Sequence, residues 1–229
     1  MTTTNQTVAL LPMKGHSERV PRKNFREFAG KPLFRWILDS LLSVESIDLV
    51  VINTDARETL EELGIDRDTP KVLVRDRPEA ICGDMVSMNM VIEDDIQNVP
   101  AATYLMTHTT NPLLSTATIS SAVDRYLEAI QGGNHDSLFT VNKVQTRFYR
   151  EDGSAVNHDP DNLIRTQDLE PWYEENSNLF IFNGESFKKT NARIGANPIM
   201  FETPNLESYD IDDQDDWDLA ELIAKNLHC

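Results

Sequence analysis

Residues 8–33, VALLPMKGHSERVPRKNFREFAGKPL, constrain the fold more than any other stretch: an apolar run stops at Pro12 and opens into a loop crowded with positive charge. Val8 to Leu11 has the length and composition of a buried strand, and proline cannot continue a central strand because it lacks the N–H that the ladder needs. In an open parallel sheet, ligands bind beyond the carboxyl ends of the strands, where this loop begins. Lys14, Arg19, Arg22, Lys23, Arg26, Lys31 and Arg35 meet only Glu18 and Glu27 within it. A solvated basic surface would give the same composition, so the loop alone leaves a phosphate site and a plain surface both open.

Downstream, short apolar runs alternate with helical spacing. Asp48 to Ile52, Lys71 to Val74, Thr103 to Met106, Ser137 to Val141 and Asn178 to Phe182 read as strands. Leu33 to Leu42, Val86 to Ile96 and Thr116 to Ile130 read as helices, with Pro32 in the first turn of one, Ser115 or Thr116 capping another, and Gly132-Gly133 ending it. The alternation predicts an α/β fold, a Rossmann-like mostly parallel sheet flanked by helices, as one domain over residues 1–229. Residues 143–177 break the rhythm and read as a small appendage, with a hairpin turn at Asp152 to Ser154, over the site or between subunits.

Composition narrows the partners. The 38 acidic against 21 basic side chains give a net charge of -17, a repulsive field for nucleic acid or an anionic membrane, so the anion for the basic loop should be small. Cys82 and Cys229 make neither a metal spacing nor a disulfide framework, Met1 to Thr7 is polar, and no run has the length to span a bilayer. These features predict a cytoplasmic protein. No G-x-x-x-x-G-K-[ST] or G-x-G-x-x-G motif supports an ordinary ATPase or a dinucleotide dehydrogenase.

The second constellation is acidic: Tyr209-Asp210-Ile211-Asp212-Asp213, followed by Asp215, Asp216 and Asp218. In an extended segment Asp210 and Asp212 project from one face and can meet one hard cation, while Ile211 points into apolar packing. The later acids suit the first turn of a helix. A cationic loop and a carboxylate pair at opposite ends of a chain together suit a magnesium nucleotide.

With these motifs the chain resembles the acylneuraminate cytidylyltransferases, the family that makes CMP-activated nonulosonic acids, and more widely the sugar nucleotidyltransferases. The resemblance rests on LPMKGHSERVPRKN with the later GKPL, on VINTDA, RPEAICGD and THTTNPL, and on YDIDDQDDWDLAE. It implies a nucleotide-diphospho-sugar transferase-like fold, a homodimer, and transfer of CMP from CTP to the anomeric hydroxyl of an acidic nine-carbon sugar, with Mg2+ as cofactor and pyrophosphate released. It further implies Lys14, Lys23, Asp210 and Asp212 as catalytic residues, the two aspartates as metal ligands. The nucleotide would be bound through Leu11, Pro12, Met13, Lys14, Gly15, Ser17, Arg19, Arg22, Lys23, Asn24, Arg77, Asp84, His108 and Thr109, and the sugar through Arg165, Gln167 and Asn176.

The chain departs from the family's commoner pattern at several of these positions. Lys14 stands where arginine is usual, which keeps the charge and loses the bidentate fork. Ser17-Glu18-Arg19 resembles the ketodeoxyoctonate enzymes instead, keeping an acceptor such as ketodeoxyoctonate or another acidic sugar as the alternative. His108 fits a base contact or a buried loop residue, Asp84 a nucleotide contact or a helix cap, and Arg165 a carboxylate clamp or a surface pair with Asp161 or Asp168. Glu174 and Glu175 replace an arginine common in relatives. A nucleotide-binding regulatory module would keep Lys14 and Lys23 without needing both aspartates.

Overall fold

The computed structural model describes residues 6–66 and 68–227. The amino-terminal residues up to Asn5 and Cys229 lie outside them. Strand β1 (Thr7–Leu10) is followed by a minimal hairpin, β2 (Glu27–Phe28) with β3 (Lys31–Pro32), then by β4 (Leu49–Thr54), β5 (Val72–Asp76) and β6 (Thr103–Thr107). β7 (Ser137–Val144), β8 (Trp172–Phe182) and β9 (Pro198–Glu202) complete the set. Seven of them form one sheet in the order β5-β4-β1-β6-β8-β7-β9. β8 runs antiparallel to both neighbours, and the remaining pairings are parallel.

Helices cover both faces, which is why the central strands are apolar on both sides. α1 (Leu33–Leu42), α2 (Arg57–Glu62) and α4 (Thr116–Gln131) close one face over Ala9, Leu11, Val50, Ile52 and Leu105. α3 (Met88–Asn98) and α5 (Gly184–Thr190) close the other over Val8, Leu10, Val51, Met106 and Phe180. α1 presents Leu33, Phe34, Ile37, Leu38 and Leu41 to the core at helical spacing. Ser115 caps α4 by accepting from the Thr118 N–H at 3.2 Å, and Asn183 with Ser186 forms a capping box on α5.

α6 (Gln214–Leu227) matters most for position. Trp217, 1% exposed, meets Phe28 edge-on at 5.3 Å between ring centroids, while the Arg26 guanidinium lies over its other side at 4.3 Å. This ties the carboxyl-terminal helix to the hairpin of the basic loop, and truncating such a ring costs about 3–5 kcal/mol. Segments far apart in sequence are thereby held together beyond the carboxyl ends of the central strands β1 and β6.

The structure corrects several expected boundaries. α3 starts at Met88 and not Val86, because Ser87 caps it through the Asn89 N–H at 3.3 Å. Pro32 occupies the position before α1 and not its first turn. β8 begins at Trp172, six residues before the expected Asn178, and β9 was not foreseen. Both departures enlarge the sheet, and the longer β8 does so at the cost of the expected appendage over residues 143–177, whose first and last residues are strand. The Asp152 to Ser154 turn is present: Arg150 N–H donates to the Ser154 carbonyl at 2.9 Å, and Gly153 takes a φ of 81°.

Candidate active site

The loop after β1 is built to hold its backbone still. Leu11 and Pro12 are buried, and the Met13 N–H donates to the Asn53 carbonyl at 3.0 Å. Arg77 braces the turn, with Nε on Asn53 Oδ1 at 2.9 Å and Nη2 on the Asn53 and Met13 carbonyls at 2.8 and 3.3 Å. Asn53 in turn donates to buried Asp95 at 2.9 Å. Burial pushes the Asp95 carboxyl up to about 6 even though Asn53 and Arg75 oppose the shift. Gly15 donates its N–H to Asp55 Oδ1 at 2.7 Å, and a β-carbon there would fall 2.9 Å from that of Ala56, so the close approach needs glycine.

The next turn carries the cations. Asn24, 5% exposed, donates to the Lys14 carbonyl at 2.7 Å and accepts from the Thr109 hydroxyl at 2.6 Å, joining the β1 and β6 loops. Lys14 pairs with Asp84, and that contact holds the Asp84 carboxyl below its usual range. Asp84 is thus an ion-pair partner and not a helix cap. Arg22 takes a left-handed φ of 54° at the head of the Lys23–Phe25 turn and is exposed.

Lys23 is where the two sequence motifs meet. Its Nζ donates to the Ile211 carbonyl at 2.6 Å, and Ile211 is fully buried, its N–H on the Thr110 carbonyl at 2.9 Å. Asp210 and Asp212 therefore stand on either side of a clamped residue. Burial pushes the Lys23 ammonium down, against the pull of Asp212 and then Asp210. Asp210 is open to solvent on one side, yet the protein around it pushes its carboxyl up; the Thr110 hydroxyl opposes and the Asp212 charge adds to the shift. Asp212 also meets Arg19 at 3.2 Å. The other acids cap: Asp213 accepts from the Asp215 and Asp216 N–H groups, and Asp216 from those of Asp212 and Asp213.

These elements enclose a cavity of about 240 Å3 lined by Pro12, Met13, Lys14, Ser17, Lys23, Asn24, Arg77, Asp84, His108 and Thr109, together with Ile81, Gly83, Val86, Met88, Val91 and Thr110. A larger groove of about 740 Å3 lies at the opposite end of β6, around Ala101, Tyr104 and Gly184, where Lys188 is the sole cation in its lining. The smaller cavity is the candidate site, because it lies at the carboxyl ends of β1 and β6 and Lys14, Lys23 and Arg77 line it. His108 lines it, and burial, then Arg193, then Lys23 push its imidazole down to about 4. A neutral ring is what two nearby cations permit.

The three residues expected at the sugar are not brought to this cavity. Arg165 binds both oxygens of Asp168, at 2.7 and 3.0 Å, the surface pair rather than a clamp. Gln167 is exposed in the appendage. Asn176 is 9% exposed at the irregularity between β7 and β8, donating to Asn142 at 2.9 Å and Thr203 at 2.7 Å. Sequence reasoning missed Asn53, Asp55, Asp95 and Arg193. Asn53 and Asp55 lay within the quoted VINTDA motif; Arg193, in a polar link between α5 and β9, carried no signal.

A sheet with this strand order and a cationic loop beyond β1 defines a nucleotide-binding α/β transferase. The chain belongs to the cytidylyltransferase family, whose model matches residues 8–226. It is 23% identical to a pseudaminic acid cytidylyltransferase of Campylobacter jejuni subsp. jejuni serotype O:2 across 97% of this chain and 98% of that one. It is 23% identical to an N-acylneuraminate cytidylyltransferase of Streptococcus agalactiae serotype V across 92% of this chain and 51% of that one. Among solved structures, a CMP:2-keto-3-deoxy-manno-octonic acid synthetase complexed with CTP superposes with a TM-score of 0.66 at 12% identity, over 97% of this chain and 99% of that chain, a likeness of fold.

Proposed function

We propose that this nucleotidyltransferase moves CMP from CTP to the anomeric hydroxyl of a nonulosonic acid, the class to which its relatives' names point. A bond forms between that oxygen and the α-phosphorus, the bridging P–O bond to the β-phosphate breaks, and pyrophosphate leaves. The observation that carries the reading is the Lys23 clamp on Ile211, which ties a lysine lining the cavity to the residue between Asp210 and Asp212. Lys14 and Lys23 meet phosphate oxygens whose charge spreads in the transition state. Ser17, Asn24 and Thr109 offer polar groups to the nucleotide, and Arg77 holds the loop they stand on.

Mg2+ fits this donor set. No group of three His, Cys, Asp or Glu side chains poised to hold a metal occurs among the described residues. Mg2+ does not need one, because it binds through one or two carboxylates with substrate phosphates and waters. Burial first, and the Asp212 charge with it, disfavour an ionised Asp210, and a dication held by these two carboxylates would offset both. When bound, the ion would neutralise phosphate charge.

A homodimer is part of the reading. The appendage and the strand ends beside it expose Tyr149, Leu163, Ile164, Trp172 and Tyr173, and Phe148 stacks on Trp172 at 5.3 Å. That much exposed apolar surface supports contact with a second copy. Arg165 and Gln167 belong to the same appendage, so any contact they make with a sugar is one the appendage makes in the copy it seats on. The experiment for the whole reading is pyrophosphate release from CTP, UTP, ATP and GTP against a panel of pseudaminic, N-acylneuraminic and ketodeoxyoctonic acids. Turnover with CTP and a nine-carbon acid is expected, and release without any acid would contradict it.

A further inference from the structure

A sugar acid brings a carboxylate into a strongly acidic protein, and a fixed cation must meet it. Most cations near the site are committed: Lys14 to Asp84, Arg19 to Asp212, Lys23 to the Ile211 carbonyl, and Arg77 to Asn53 and Met13. A second recess bordering Asp210, lined by Asn142, Asn205, Leu206, Ser208 and Tyr209, has no cation in its lining.

Arg193 differs from these. Its guanidinium lies flat over Phe180 at 3.9 Å, with Nη1 at 3.5 Å from His108 Nε2 and 4.0 Å from Met106 Sδ. The nearest carboxylate is Glu175 at 3.9 Å, and among the described residues no oxygen accepts a hydrogen bond from this side chain. Burial pushes its pKa down, with Glu175 opposing, yet the side chain keeps 23% exposure, so its donors are reachable. A guanidinium has five N–H donors in a planar fork that matches a carboxylate, and partly buried donors without acceptors are costly.

Placement favours the acceptor over the triphosphate. Lys14 and Lys23 follow β1, whereas Arg193 packs on β6 and β8 through Met106 and Phe180 and touches His108 at the end of β6. Its neighbours Met106 and Phe180 belong to the apolar cluster that Met88 of the cavity wall packs against, and Asn89 of α3 donates to the Asn191 carbonyl at 3.0 Å. Glu175 stands close enough to orient the fork and too far to saturate it. We infer that Arg193, with His108 beside it, binds the carboxylate of the sugar acid, an inference that rests on the transfer reaction proposed above.

The test measures pyrophosphate release by the wild type, Arg193→Gln and Arg193→Lys, using the best acid of the panel and the amide of that same acid. Arg193→Gln should raise the KM for the acid roughly 10- to 100-fold, while the KM for CTP stays within about twofold. Arg193→Lys should recover part of the loss. The wild type's preference for acid over amide should shrink in Arg193→Gln by a similar factor, which a structural role would not produce. An unchanged acid KM, an equal rise in the CTP KM, or an undiminished preference for acid over amide would each overturn the assignment. A wild type inactive on every acid would instead reject the transfer reaction and this inference with it.

Discussion

The loop after β1 and the appendage after β7 both offered cations to a sequence reader, and they came to different ends. Lys14 and Lys23 are held by buried partners: Asn24 on the Lys14 carbonyl and the Ile211 carbonyl on Lys23. Arg165, on the appendage, is 73% exposed and neutralised by its neighbour Asp168. The difference teaches that a charge becomes part of a site when the fold fixes its backbone and leaves its head group facing a cavity. Local charge pattern alone does not distinguish the two cases.

The largest effect should come from the aspartates at the meeting point. Asp210→Asn and Asp212→Asn should each lower turnover by about 1,000-fold or more with the fold retained, since the amide keeps size and removes the charge a metal needs. Near-normal turnover, with circular dichroism unchanged, would remove the metal role from this segment. Lys23→Met should lower kcat/KM by roughly 2–4 kcal/mol, more through kcat than through KM. A pure KM effect would make Lys23 a ground-state ligand and weaken the contrast with Arg165.

The comparison also extends to pH. His108 titrates at about 4 in the folded protein against an ordinary value near 6.5, so the unfolded chain takes up its proton first as pH falls. Its contribution is complete above about pH 6.5 and is lost as pH drops through 4, on the order of 3 kcal/mol at most. Asp95, raised to about 6, acts in the opposite sense and loses its contribution as pH rises through 6. The difference in denaturant stability between the wild type and His108→Gln isolates the histidine. That difference should decline from pH 7 to pH 4, and a flat difference would mean the ring is solvated.

A smaller effect is expected on the appendage. Trp172→Ser should move the sedimenting species from dimer to monomer while CTP binding by calorimetry stays within about threefold, because the nucleotide cavity is built from one chain. A monomeric wild type would contradict the assembly. An acid KM that rises on dissociation would bring Arg165 or Gln167 into a neighbouring copy's site and sharpen the distinction between fixed and borrowed cations.

What the sequence disclosed follows from the same contrast. β1, β4 and β6 were legible because burial on both faces demands unbroken apolar runs, and the Asp210–Ile211–Asp212 alternation was legible because Ile211 packs inward. The amino-terminal half of β8, Trp172 to Glu175, was not, since every one of these residues is exposed and polarity masks the strand. β9 was hidden because it opens on Pro198, ends on Glu202 and buries only Ile199. Asn53 acts by accepting from Arg77 and donating to Asp95, tertiary pairings that leave no pattern along the chain. Arg193 gains its meaning from Phe180 and His108, a tertiary neighbourhood.

The Lys23 clamp joins the cavity of the lysine loop to the aspartate pair, and the two together should serve a cytidine nucleotide. Pyrophosphate release from CTP with a nonulosonic acid, with Mg2+ and then with excess EDTA, tests it most directly. The account predicts turnover that requires both the acid and the metal and that falls sharply when CTP is replaced by ATP or GTP. Equal release in EDTA, or equal release from every nucleotide, would contradict it.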